Sequence, residues 1–276
     1  MHKIAIFMEQ LIIGCIIIML GMFLFKTFPF EKRNVKVLTL SAIFIVITLI
    51  AKRFFTFMIP LFGLESLKVG VEYIPLMIAG FILPPSYAYL VGMCCDLIGL
   101  ILVPSGFPFF GFTLTMILVC VIPSLVSQYF SRMKDTYIYK LVCGIVGLFA
   151  LAGGLFIYTL ESVKISSQDI MLEPTHKLIL IGMCILLVLV VFLVMAYAKK
   201  KQDEVNFKDL SCWILSVVMV EGFTTLILSP LWLDMMYNMP FIVSFCIRVI
   251  KLCFVIPMEI FVGYTILKVV KKVTKF

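Results

Sequence analysis

Charge is scarce in this sequence. Only 14% of its 276 residues are charged, where a soluble domain carries roughly a quarter. Histidine is scarcer still: His2 and His176 are the only two, and their separation argues against both a histidine-built metal centre and a histidine base. No GxxxxGK[ST] stretch occurs, so the chain does not hydrolyse a nucleotide through a phosphate loop. HExxH, GxSxG and CxxC are absent as well. The acids within apolar runs are too far apart in sequence to claim as a catalytic pair. These absences point to a protein that is not an enzyme and carries no cofactor.

Apolar residues fill the space that charge leaves. They make up 63% of the chain, and the mean hydropathy is +1.19. A spanning helix needs about 20 mostly apolar residues, and nine segments present themselves: 4–25, 37–58, a shorter one at 69–84, 86–103, 111–130, 137–160, 176–198, 210–233 and 241–270. Backbone polar groups in a bilayer must be satisfied internally, so each is expected to be a helix. The fold class is an all-α integral membrane protein. The first segment is too long for a cleaved leader and reads as a retained helix. Nine cysteines sit mostly inside these runs, as small apolar residues. The net charge of +8 falls between apolar segments, which suits a membrane surface and not nucleic acid.

Lysine and arginine set an orientation. Lys26, Lys32, Arg33 and Lys36 follow the first segment, and Arg132, Lys134 and Lys140 follow the fifth. Lys199, Lys200, Lys201 and Lys208 follow the seventh, and Lys268, Lys271, Lys272 and Lys275 close the chain. Nine alternating spans place all four clusters on one side, the cytoplasmic one, with the N-terminus outside and the C-terminus inside a cell membrane.

Some charges break this pattern. Lys52, Arg53, Lys68, Arg248 and Lys251 fall toward the outer side or within apolar runs, where each charge costs at least ~2.5 kcal/mol. Helical spacing puts Arg248 and Glu259 on one face, and Glu221, Thr225 and Trp232 on another. Asp96 lies between Gly92 and Gly99, small residues that admit a neighbouring helix. Two readings follow. The charges pair as helix-to-helix glue, or they line an outward pocket with excess positive charge and many aromatic rings. Such a pocket suits an anionic, ring-bearing solute, and an excess of one sign favours it.

Four landmarks occur in order: "VLTLSAIFIVITLIAKRFF", "IPLFGLESLKVGVEYIPLMIAGFILPP", "CDLIGLILVPSGFPFFGFTLT" and "LILSPLWLDMMYNMPFIVSFCIRVIKLCFVIPMEI". Together they resemble the substrate-binding S component of energy-coupling factor vitamin transporters, and most closely its folate-specific branch. The matching fragments are KRF, DLIG, PSG, FFGFTLT, LWL-x-MMY and RVIK, over about 36–130 and 205–270.

That resemblance implies a six-helix core that binds folate or a related pterin near the outer face. It docks on a membrane coupling component carrying two cytosolic ATPase subunits. Asp96 would accept hydrogen bonds from the pterin edge. Phe54, Phe109 and Phe112 would stack on its rings, under a break at 104–110 that crosses the outer surface. Arg53 would lie along the ligand, Trp232 would line the site, and Arg248 and Lys251 would meet its glutamate tail or brace the pocket. The core would comprise 36–130 and 209–276, with an additional N-terminal helix at 1–30 and an inserted two-helix hairpin at 133–208. Docking would use Ala42 and Val46, where the family has two alanines. Ser229-Pro230 stands where an asparagine-like donor is expected, which leaves open another vitamin or a nucleobase-like ligand. A membrane enzyme using Asp96 and Glu221 on a lipid-borne substrate, or a non-transporting scaffold, completes the alternatives.

Overall fold

A computed structural model describes residues 2–30, 35–61, 64–102, 108–130, 133, 135–159, 162–165, 168–171, 174–201, 204–237 and 239–274. Lys32, Arg33, Arg132, Lys134 and Lys275, and the stretch 103–107 of the expected surface break, lie outside them, as do the side chains of Lys68, Lys199 and Lys201.

The elements run α1 (His2–Thr27), α2 (Val35–Phe54), β1 (Thr56–Leu61), β2 (Leu64–Gly70), α3 (Tyr73–Ile82), α4 (Pro85–Leu102) and α5 (Phe110–Phe130). Then come α6 (Asp135–Thr159), β3 (Ser162–Ile165), β4 (Gln168–Met171), α7 (Pro174–Lys201) and α8 (Glu204–Val220). A π-helical segment, π1 (Glu221–Leu228), leads into α9 (Ser229–Tyr237). After α10 (Phe241–Met258) a second, π2 (Glu259–Gly263), leads into α11 (Tyr264–Thr274). Among the described residues, eight helical runs are long and apolar enough to cross a membrane, and α3 is a ninth, shorter apolar helix. The architecture is an all-α, multi-pass membrane one, with two small antiparallel hairpins, β1–β2 and β3–β4.

Two expected boundaries are corrected. The span expected over 37–58 ends at Phe54, and the one expected over 69–84 starts at Tyr73, because 56–61 and 64–70 pair as strands. Gly70 faces Thr56 in that ladder, and a Cβ there would lie 2.7 Å from Thr56 Oγ1. Pro75 fits the first turn of α3, where its missing N–H has no helical partner to lose. Leu83 then turns extended ahead of Pro84, as a residue before proline prefers.

The chain forms two compact units: Met1–Gln128 with Thr265–Phe276, and Tyr129–Tyr264. In the first, α1 buries a narrow stripe, Ile13, Ile17, Gly21 and Leu24, and exposes most of the other large apolar side chains described on it. A helix that is apolar all round suits a lipid environment. By contrast α3 is almost wholly buried. Glycines bring it and α4 onto α5: a Cβ at Gly80 would sit 1.9 Å from the Cys120 carbonyl oxygen, and one at Gly92 2.7 Å from Ile117 Cα. Tyr89 ties α4 to α1 by donating to the Ile17 carbonyl at 3.0 Å. Lys36 donates to the Thr274 carbonyl, joining α2 to the end of α11.

In the second unit α6 packs on α7 and α8, and α7 packs on α10. Phe156, Phe241 and Phe245 form a ring cluster, with Phe241 and Phe245 stacked at 6.1 Å. The π turns are held by side chains. Trp213 Nε1 donates to the Glu259 carbonyl at 3.1 Å, and Ser229 Oγ donates to the Thr224 carbonyl at 2.8 Å. The Trp213 ring also fills the gap beside Gly263, where a Cβ would meet it at 2.4 Å.

Candidate functional site

Within the first unit, one acid gathers the polar groups. Asp96 is 4% exposed on the inner face of α4. Thr113 Oγ1 donates to its Oδ2 at 2.7 Å, and Lys52 Nζ lies 3.8 Å from its Oδ1. The second distance is an ion pair but too long for a hydrogen bond. An ionised carboxylate has about four acceptor positions, so Asp96 keeps acceptor capacity beyond Thr113. Around it, Thr48 Oγ1 is fully buried beside the Cys95 thiol and has no oxygen or nitrogen partner among the described residues. Gly99 makes room for the Lys52 side chain, since a Cβ there would lie 3.2 Å from Nζ.

The sequence pattern explains the placement. Residues 37, 41, 44, 48 and 51 form the buried stripe of α2, and Lys52 follows Thr48 by one helical turn. Thr113 comes one turn into α5, with its hydroxyl turned toward α4. Phe109 is buried and meets Phe112 edge-on, ring centroids 6.0 Å apart. Through Thr113, the FFGFT stretch is thus fixed against the aspartate of DLIG.

The other site residues named from sequence are divided between the two units. Arg53 is exposed at the end of α2, and Phe54 is 72% exposed. Ala42 and Val46 lie on the exposed face of α2. Trp232, Arg248 and Lys251 belong to the second unit, where Trp232 is buried and Arg248 Nη1 donates to Ser244 Oγ at 2.9 Å. Sequence reasoning chose Arg53 over its neighbour and did not single out Thr113. The signal for Lys52 was its position one turn beyond Thr48, on the side of α2 that packs inward.

Compared with known families, curated proteins and solved structures, the chain matches none. A buried carboxylate with a hydroxyl donor and an ammonium at the edge of bonding range can accept hydrogen bonds from a solute with paired N–H groups. No group of three or more metal-ligating side chains occurs among the described residues.

Proposed function

We propose that this chain is the membrane-embedded binding subunit of an uptake system, taking folate or a related pterin at Asp96. The observation that carries the proposal is the Thr113–Asp96 hydrogen bond. It joins two of the fragments on which the resemblance to the S component of energy-coupling factor transporters rests, and the Phe109–Phe112 ring pair lies within about one helical turn of Thr113. A flat, N–H-rich ring system suits those two features together. Delivery inward falls to a coupling component with two ATPase subunits, since this chain has no phosphate loop of its own.

The orientation belongs to the same proposal. The basic clusters share one side only if α3 counts as a crossing. Its ten residues span about 15 Å, half the hydrocarbon thickness. Burial of α3 among other helices supports such a short crossing, because little of it meets lipid. The N-terminus is then outside and the C-terminus cytoplasmic.

A second reading is favoured by the Lys52–Asp96 ion pair: these charges serve as glue between α2 and α4. Equilibrium binding of labelled folate to the purified protein separates the two, with unlabelled pterins and unrelated vitamins as competitors and Asp96→Asn beside the wild type. Saturable binding displaced only by pterins and lost in Asp96→Asn supports the pterin site. Absence of binding in folded wild-type protein removes it and leaves the glue.

A further inference from the structure

Two acids in the second unit are almost completely buried, and neither belongs to the candidate site. Glu221 is 1% exposed and Glu259 0%. Each opens a π-helical segment, π1 and π2, near the middle of the spans Lys208–Tyr237 and Phe241–Thr274. π-helical turns inside α-helices occur often at functional sites.

The two π segments sit in one packed cluster, α10 against π1 and α8 against π2, and the two carboxyl groups act directly on each other. Yet Glu259 Oε1, Glu259 Oε2 and Glu221 Oε2 are buried with no donor among the described residues. Both facts follow from one state. Ionised carboxylates only accept, so the contact is a hydrogen bond when one of the pair carries a proton, and leaves bare acceptors when neither does. Two negative charges this close in a low-dielectric interior also repel strongly, which a single shared proton relieves.

The surroundings fit a proton better than a metal cation. Lys251 on α10 stands eight residues before Glu259, about 12 Å along the helix, and its positive charge opposes a second cation there. Arg248, eleven residues before Glu259, stands about 16 Å away along the helix and donates to Ser244. On α8, Asp209 is twelve residues before Glu221, about 18 Å along the axis. On α9, Asp234 and Tyr237 are exposed. Cys212, Cys246, Cys253 and Tyr264 lie on these elements, α7 brings Cys184 and Tyr197, whose ring meets Phe261 of π2 at 5.9 Å, and from α6 the neighbour of π1 is the Phe149 ring, against Gly222. Trp213 donates to the backbone carbonyl of Glu259 and not to its carboxyl.

We propose that Glu221 and Glu259 form a proton-binding site in which the pair holds one proton between them, taken from water and returned to it when the pair ionises. This does not rest on the identity of any solute bound at Asp96.

Infrared spectroscopy of the purified full-length chain tests it, reading the carbonyl stretch of protonated carboxyl groups across a pH series in light and heavy water. Wild type should show a buried protonated carboxyl at neutral pH that disappears as pH rises, and carbon-13 labelling of glutamate should shift the band. Glu221→Gln and Glu259→Gln should each shift the band, because the remaining carboxyl then bonds to an amide and no longer shares its proton with a carboxylate. Four results overturn the proposal: no such band in wild type, a band unmoved by glutamate labelling, a band identical to the wild-type one in either variant, or loss at constant pH on adding sodium or calcium. The labelling needs no substitution and assigns the band to glutamate; Glu72→Gln, which removes the third buried glutamate among the described residues, should leave the band in place, and its loss there would also overturn the proposal.

Discussion

Lys52 Nζ stands 3.8 Å from Asp96 Oδ1, with Lys52 23% and Asp96 5% exposed at their side chains. The ammonium reaches toward the end of α2 while the carboxylate stays inside, so the pair is asymmetric. Removing one partner of a fully buried pair costs about 3–5 kcal/mol, whereas an exposed pair contributes about 0–1. Lys52→Met is expected between these limits, at about 1–3 kcal/mol, followed by unfolding in mixed micelles. Asp96→Asn on that background should recover part of the loss, because it removes the stranded charge. A double variant no more stable than Lys52→Met would show that the two do not interact.

Gly80 tests the packing of the short helix. A methyl there collides with the backbone of Cys120, which cannot rotate aside as a side chain does. Gly80→Ala should lower stability by more than about 2 kcal/mol. Gly144 has nothing within 4 Å of an added Cβ, so Gly144→Ala should be neutral or slightly stabilising. Equal midpoints for the two variants would contradict the α3–α5 contact.

Trp213 combines a space-filling ring with one N–H donor. Trp213→Phe leaves the Glu259 carbonyl without that donor and should cost about 1–3 kcal/mol. Ser229→Ala removes the corresponding donor to Thr224, at about 1 kcal/mol. Amide hydrogen exchange should rise at the π turns in both variants. Unchanged exchange would mean that the turns hold without these side chains.

The exposed face of α2 gives a test of docking. Ala42 points away from the unit's interior, so Ala42→Trp should insert and fold as the wild type does. Under the proposed function it should impair solute uptake in cells while sparing binding by the purified protein. Loss of both would remove this face as a docking surface.

Much of the fold was legible in the sequence because lipid imposes a simple rule: long apolar runs become helices. Each of the nine segments contains a helix, and the glycine near Asp96 at position 92 does admit a neighbouring helix, α5. The shortfalls lie where local pattern and pairing compete. Strands β1 and β2 took residues that apolar composition alone had assigned to helices, since cross-strand hydrogen bonding is not written in hydropathy.

The site divides in the same way. By itself the sequence determined that Asp96 would be buried and polar-contacted, because a carboxylate in an apolar run beside glycines has few other places to go. It also determined the membrane architecture. Only the tertiary structure decided that Lys52 and not Arg53 faces that acid, that Thr113 bonds to it, and that Glu221 meets Glu259 across 38 positions of chain. Adjacent helical residues point about 100° apart. Which of them meets a partner therefore depends on how each helix is rotated, and that is set by packing against the others.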